Sequence, residues 1–461
     1  MKYLGILLLT VVLSSSSVMA QATIRSKVTG DPTKTAYPPD WAYTSNIYEV
    51  NIRQYTPEGT LNAFSEQLDR LQQMGVGIIW VMPIQPIGKL KRKGSLGSYY
   101  SISDYMAINP EMGTMEDWIR MVDKAHSLGI KVMLDWVANH TAFDHPWIKQ
   151  HPEFYNKDEK GNIKSPVDDW SDVADLNYDN QELHKAMILN MKFWLDASHI
   201  DGFRCDMAHM VPTNFWQDAR RQLEMASPGL FMLGETEDIT LYDRAFDMTY
   251  GWKFHHLLSD IVKGEKNVDD IRKNLEDTKA TYPPNGMVMY FTDNHDENSW
   301  NKTTYQRYGD ALGVFNVLIY GIKGMPLVYS GQEAASNKVI RFFDKDTIDY
   351  SKTPLAEFYS KLNKLKKQEL AMMHGERGGD LINLPNGKDK EVFTFIRKKD
   401  NSKVLFVLNL SAKSQKIKLN SSEIEGVASN LFGANTIPAT IKGTLSLTLE
   451  PWQYIVYQYK N

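Results

Sequence analysis

The run DGFRCDMAHM, residues 201–210, places a guanidinium and a carboxylate, Arg204 and Asp206, two residues apart in an otherwise apolar segment. Side chains alternate faces along a strand, so these two share one face while Phe203 and Cys205 take the other. Other short apolar runs also end in titratable groups: Asp135 followed by Asn139 and His140, then Glu235, then His295 with Asp296. Carboxylates brought together from separate strands disfavour one another's ionisation, so one keeps a proton while another stays charged. A protonated acid beside a carboxylate is the pair that glycosidic cleavage requires. The acid protonates the leaving oxygen and the carboxylate attacks the anomeric carbon. Arg204 beside Asp206 favours an ionised, oriented nucleophile.

The elements that must hold these groups are read from hydrophobic patterning. Short apolar runs at residues 46–52, 77–84, 130–137, 201–207, 230–236, 245–251, 287–296 and 325–333 alternate with amphipathic stretches. In one stretch Leu61, Phe64, Leu68 and Leu71 recur at helical spacing until Gly75 stops them; in another Leu183, Met187, Met191 and Leu195 do the same. Eight strand–helix alternations predict an α/β fold, a closed (β/α)8 TIM barrel. Its catalytic domain would comprise residues 21–137 and 179–375. Residues 138–178, polar and loop-rich after the third strand, would form a small domain B over the barrel rim. Residues 376–461 change texture to short strands between turn residues, predicting a C-terminal antiparallel β-sandwich. Barrel active sites lie at the C-terminal strand ends, where Asp135, Asp206, Glu235 and Asp296 fall.

Bulk properties exclude several classes. The chain of 461 residues carries a net charge of -4, with 42% hydrophobic and 23% charged residues, the balance of a soluble globular protein. The basic run KLKRK at residues 89–93 reads as a solvated loop, and nothing asks for nucleic acid or an anionic membrane. Lys2, the apolar LGILLLTVVL and the small residues ending at Ala20 read as a secretory signal cut after Ala20. The expected product is periplasmic or secreted, without membrane insertion. Cys205 is the single cysteine, so no intrachain disulfide forms, and its alternation assigns it to packing.

The ordered runs DWVANH, GFRCDMAHM, GETE and FTDNHD resemble the four sequence regions of the α-amylase family, glycoside hydrolase family 13. DVADLN at residues 172–177 resembles that family's fifth motif. GSYYSISDYMAINPEMGT at residues 97–114, GMPLVYSGQE at residues 324–333 and the terminal LEPWQYIVY extend the likeness over nearly the whole mature chain. The resemblance implies Asp206 as nucleophile, Glu235 as general acid/base and Asp296 as the third carboxylate, which fixes and distorts the sugar. It implies substrate contacts at Tyr100, stacking on the sugar ring, and at His140, His295 and Arg204. It assigns Asp135 to holding loops together. No metal enters the implied chemistry; a structural calcium is the one cofactor to examine, with Asn139 and Asp175 at two of its ligand positions. Where calcium-bound relatives carry Lys-His, this chain has His209 and Met210.

The expectation is a monomeric retaining hydrolase of α-1,4 bonds in starch or maltooligosaccharides. Within the family, α-glucosidase, cyclodextrin- or pullulan-cleaving and transglycosylase activities would use the same acids. From other classes, a non-catalytic sugar-binding relative would normally lack one acid, and all three stand here. A metal-dependent barrel hydrolase would draw on His140, His209 and His295 with Asp135 and Asp296, but YEVNIRQY lacks the usual first-strand histidine pair. Neither an N-terminal extra domain nor an appended starch-binding module is read, which favours a simple amylase on soluble oligosaccharides.

Overall fold

The computed structural model describes residues 38–433 and 439–460; the expected signal segment and its cut after Ala20 lie outside them. Eight parallel strands close a barrel: β1 (Ile47–Val50), β2 (Ile78–Val81), β3 (Lys131–Trp136), β6 (Gly202–Cys205), β7 (Phe231–Gly234), β8 (Met248–Tyr250), β9 (Met287–Tyr290) and β10 (Met325–Tyr329). They follow one another around the barrel in chain order, with β10 pairing back to β1. Almost every residue in them is buried, as expected of strands covered by side chains within and helices without. The interior is filled by Ile47, Ile78, Trp80, Met133, Phe231, Leu233, Tyr250 and Met289 among others. Phe203 and Cys205 join the separate layer between strands and helices, so β6 does turn its apolar face outward and Arg204 inward.

Two short strands, β4 (His140–Ala142) and β5 (Val173–Asp175), pair antiparallel within the segment between β3 and β6. The chain after the barrel forms a six-stranded antiparallel sheet from β11 (Asp380–Asn383), β12 (Val392–Lys399), β13 (Ser402–Asn409), β15 (Gly426–Asn430), β16 (Ala439–Ile441) and β18 (Tyr454–Tyr459). A second ladder of β14 (Gln415–Asn420) and β17 (Thr444–Leu449) packs Ile417 and Leu419 into the core between them.

Local chemistry sets the element ends. Thr114 opens helix Met115–Ser127 with a reciprocal cap to Asp117, and Asn180 caps helix Gln181–Ser198. Gly202 is required by close approach: a Cβ there would meet the Phe231 carbonyl oxygen at 2.1 Å. The single helix expected over the Leu61–Leu71 stripe is two, Leu61–Ser65 and Leu68–Met74. Gln67 N–H bonds back to Phe64 O, three residues away rather than four, which tightens the turn while keeping all four apolar residues on the buried face.

Apolar packing of Phe395 and Phe406 against the helical layer holds the C-terminal sheet to the barrel, and a buried cation joins it there. Arg397 on β12 is fully inaccessible and donates to the carbonyls of Gly379, Gly321 and Met373 at 3.2, 3.0 and 3.1 Å. Gly321 ends helix Leu312–Gly321, whose negative pole favours the charge. Arg397→Ala should leave three buried acceptors unpaired and cost about 3 kcal/mol. A urea midpoint equal to that of the parent chain would contradict this.

Candidate active site

Arg204 is fully buried at the C-terminal end of β6 and organises the barrel mouth. Its Nη1 lies 3.0 and 3.2 Å from the two carboxylate oxygens of Asp135 and 3.0 Å from Asp206 Oδ1. Its Nη2 pairs with Glu235 Oε2 at 2.8 Å, and its Nε donates to the Tyr250 hydroxyl at 2.9 Å. The guanidinium carbon stands 4.9 Å over the Trp80 ring. Partners on β3, β7 and β8 therefore meet one fork, each placed by its strand end.

The Asp135 side chain is fully buried and accepts from Arg204, from Trp80 Nε1 and from the Tyr100 hydroxyl, the last two at 3.1 Å. It thus fixes the arginine and, through Tyr100, the loop after β2.

His295 and Asp296 lie not on β9 but in the first turn of helix His295–Trp300, capped by Asn294, whose side chain accepts from Glu297 N–H. His295 Nδ1 stands 2.5 Å from Glu49 Oε1, and its Nε2 stands 2.8 Å from the Tyr100 hydroxyl and 3.3 Å from Asp296 Oδ2. Burial works against the imidazolium, but Asp296 and Glu49 outweigh it and push the pKa up to about 9. Burial also raises Glu49, with His295 opposing. We place the proton on His295 because a second carboxylate also faces it. His140 is the reverse: burial pushes it down to about 4, so it is neutral. Asn139 Nδ2 lies 3.2 Å from its Nδ1; taking that contact as a donation leaves Nε2 as an N–H donor.

A cavity of about 580 Å³ is lined by Tyr100, His140, Asp206, Glu235, His295 and Asp296. Six of the seven side chains singled out from the sequence meet there, and Arg204 lies against them. Asp206 and Glu235 share a hydrogen bond. Burial, then the charge of Glu235, drives Asp206 well above the ordinary carboxylate range despite Arg204. Burial also opposes ionisation of Glu235, but Arg204 and the Met207 N–H outweigh it and hold that carboxyl below its usual value. The pair thus shares one proton. Met207 supplies its N–H, 2.9 Å from Glu235 Oε2, from a left-handed conformation at φ 43°, an uncommon geometry for a side-chain-bearing residue.

The metal expectations fare differently. His209 is exposed and does not line the cavity with His140 and His295. Among the described residues no three His, Cys, Asp or Glu side chains are placed to hold a metal. The Asp175 carboxylate accepts from Asn156 Nδ2 at 2.9 Å and faces Lys164 Nζ at 3.9 Å, while the Asn139 amide is turned to His140. Calcium takes six to eight oxygens, and these are the partners the two candidate side chains have in this structure.

Sequence reasoning missed Glu49 and Tyr250. Glu49 carried the same signal as Arg204, a charge within a buried run, in NIYEVNI. Tyr250 carried none, since a tyrosine in an apolar strand reads as packing.

The family description "Alpha amylase, catalytic domain" matches residues 26–170 and 167–375, and "Maltogenic Amylase, C-terminal domain" matches residues 384–456. The α-amylase MalA of Haloarcula japonica is 26% identical over 404 residues, covering 83% of this chain and 57% of the relative; the chain thus spans little more than half of that protein. A solved α-amylase from Lactobacillus plantarum superposes with TM-score 0.81 at 30% identity, over 91% of this chain and 100% of that one. A maltogenic α-amylase, AmyB of Thermotoga neapolitana, superposes with TM-score 0.82 at 29% identity, over 91% and 99%.

A raised histidine pKa stabilises the fold fully below the unfolded value, about 6.5, and that contribution is lost as pH climbs through about 9. Glu49→Gln should lower the proton affinity of His295 by about tenfold or more. Imidazole nitrogen shifts followed against pH would show it; an unmoved midpoint would refute the ion pair.

Proposed function

The chain belongs to the α-amylase family, glycoside hydrolase family 13, and from that premise we propose that it is a retaining α-amylase cleaving α-1,4 bonds of starch or maltooligosaccharides. That it is a glycoside hydrolase follows from the family and structural matches. The observation that supports a retaining mechanism is the convergence of Asp206, Glu235 and Asp296 on one cavity, with the Arg204 fork against the first two.

In this reading a glucose ring stacks on Tyr100, with the His140 N–H and the His295 imidazolium on its hydroxyls. Asp296, 37% exposed at its side chain, meets the ring from the open side and favours its distorted form. Glu235 gives its proton to the glycosidic oxygen as the Asp206 carboxylate attacks C1. The leaving sugar departs with the proton and a glycosyl ester remains on Asp206. Glu235, now a carboxylate, takes a proton from water; that water attacks C1 and frees Asp206 with net retention. Attack needs the shared proton on Glu235. The hydrogen bond joining the two carboxyls offers that transfer one step, and a sugar oxygen against Glu235 supplies the acceptor that makes it favourable. Arg204 serves both stages, since either carboxylate pairs with it.

The N-terminal segment supports export to the periplasm or medium, and the reading takes a monomer and no cofactor. Neighbouring specificities of the family use the same acids, so product analysis on starch, maltotetraose, pullulan, cyclodextrin and sucrose discriminates among them.

Asp206→Asn and Glu235→Gln should each lower kcat by about 10³-fold or more while the folded spectrum persists. Release of reducing sugar near the parent rate from either variant would overturn the assignment. Proton NMR of the first product should show the α-anomer; a β-anomer appearing first would exclude the double displacement.

A further inference from the structure

We propose that the cavity is walled off on its glycone side, so that this enzyme trims short products from the non-reducing ends of α-glucans rather than cutting within the polymer. The inference rests on the hydrolytic reading above and deepens it.

The wall is built by residues 89–97, the loop after β2. Lys93 Nζ reaches across to the segment before β5, 3.2 Å from Asp172 Oδ1 and 2.6 Å from the Asp169 carbonyl. On its other side the loop is tied to the segment after β10. Leu96 N–H donates to the Phe343 carbonyl at 2.9 Å, and the Ser95 N–H and hydroxyl both reach Asp344 Oδ1, at 2.9 and 2.6 Å. The short helix Ile52–Tyr55 after β1 supports it, with Arg53 Nη1 donating to the Gly97 carbonyl at 3.0 Å. The helix after β1, the loops after β2 and β10 and the β4–β5 excursion thus form one continuous strap. A lone exposed ion pair would be a weak latch; this strap is held by one backbone bond and two bonds to Asp344 at one end and by a carboxylate that is nearly buried at the other. Lys93, Asp169, Asp172 and Phe343 line the same cavity as the acids.

The side of the site on which the wall stands follows from barrel order. Glu235 leaves the end of β7, and the strand four places away in either direction around the barrel is β1. The strap flanks β1, across the mouth from the proton donor. The donor must face the leaving oxygen, which belongs to the reducing-end portion of the glucan. What lies across from it is the portion running toward the non-reducing end. That portion has to end at the strap. Trp300, 57% exposed, packs on Phe342 and Phe343 with ring centroids 5.4 and 5.8 Å apart, giving a terminal sugar an apolar face on which to rest.

The test compares maltoheptaose with maltoheptaose whose non-reducing terminal hydroxyls 4 and 6 carry an ethylidene acetal. The parent enzyme should release one short oligosaccharide early from the free chain. It should cut the blocked chain about tenfold more slowly or worse, the discrimination an ill-fitting end group produces. Equal rates with mixed early products would overturn the wall and leave the hydrolase reading standing. No product from either chain would overturn the hydrolase reading, and this inference with it. Lys93→Ala, or Asp172→Asn if the first fails to fold by circular dichroism, should raise the blocked-to-free rate ratio severalfold. A ratio unmoved in a folded variant would show that the strap is not the cause.

Discussion

A guanidinium with no access to water needs anions around it, and the barrel mouth is arranged to meet that need. Arg204 is wholly enclosed, and burying such a charge unpaired would cost several kcal/mol. Asp135, Asp206 and Glu235 surround it at 2.8–3.2 Å, with the Tyr250 hydroxyl at Nε and the Trp80 face beneath. Each partner comes from a different part of the barrel wall, so the ion cluster forms only when the strands are in register.

The same cluster explains the state of the acids. Five carboxyl groups, Glu49, Asp135, Asp206, Glu235 and Asp296, stand about two cations, Arg204 and His295. That excess of negative charge in a low-dielectric pocket draws in protons. One stays on His295, pulled there by Asp296 and Glu49. Another stays between Asp206 and Glu235, where it is the proton that a glycosidic oxygen would take. Asp135, with both oxygens on Arg204 Nη1 and bonded to Tyr100 and Trp80, is the member that anchors rather than exchanges.

Above this rigid base the rim is assembled from loops whose contacts are mostly between neighbours in space and distant in sequence. Lys93 with Asp172, Ser95 with Asp344 and Gln54 with the Asp344 carbonyl join segments tens to hundreds of residues apart. Such a rim can vary without touching the ion cluster below.

The barrel, its closing sandwich and most of the site were legible in the sequence, because their signals are local. Burial on both strand faces shows as short apolar runs, and a charge inside such a run has few explanations besides a site. Arg204, Asp206, Glu235 and Asp296 stood out for that reason, and Glu49 carried the same mark unread. What only tertiary structure decided is who faces whom. The partner of Asp135 is set by strand order around a closed barrel, and the break at Gln67 by a single backbone bond to Phe64. Lys164 opposite Asp175 and Lys93 opposite Asp172 are likewise products of loop folding. Periodicity constrains a residue's own face; it carries no information about what the rest of the chain brings to meet it.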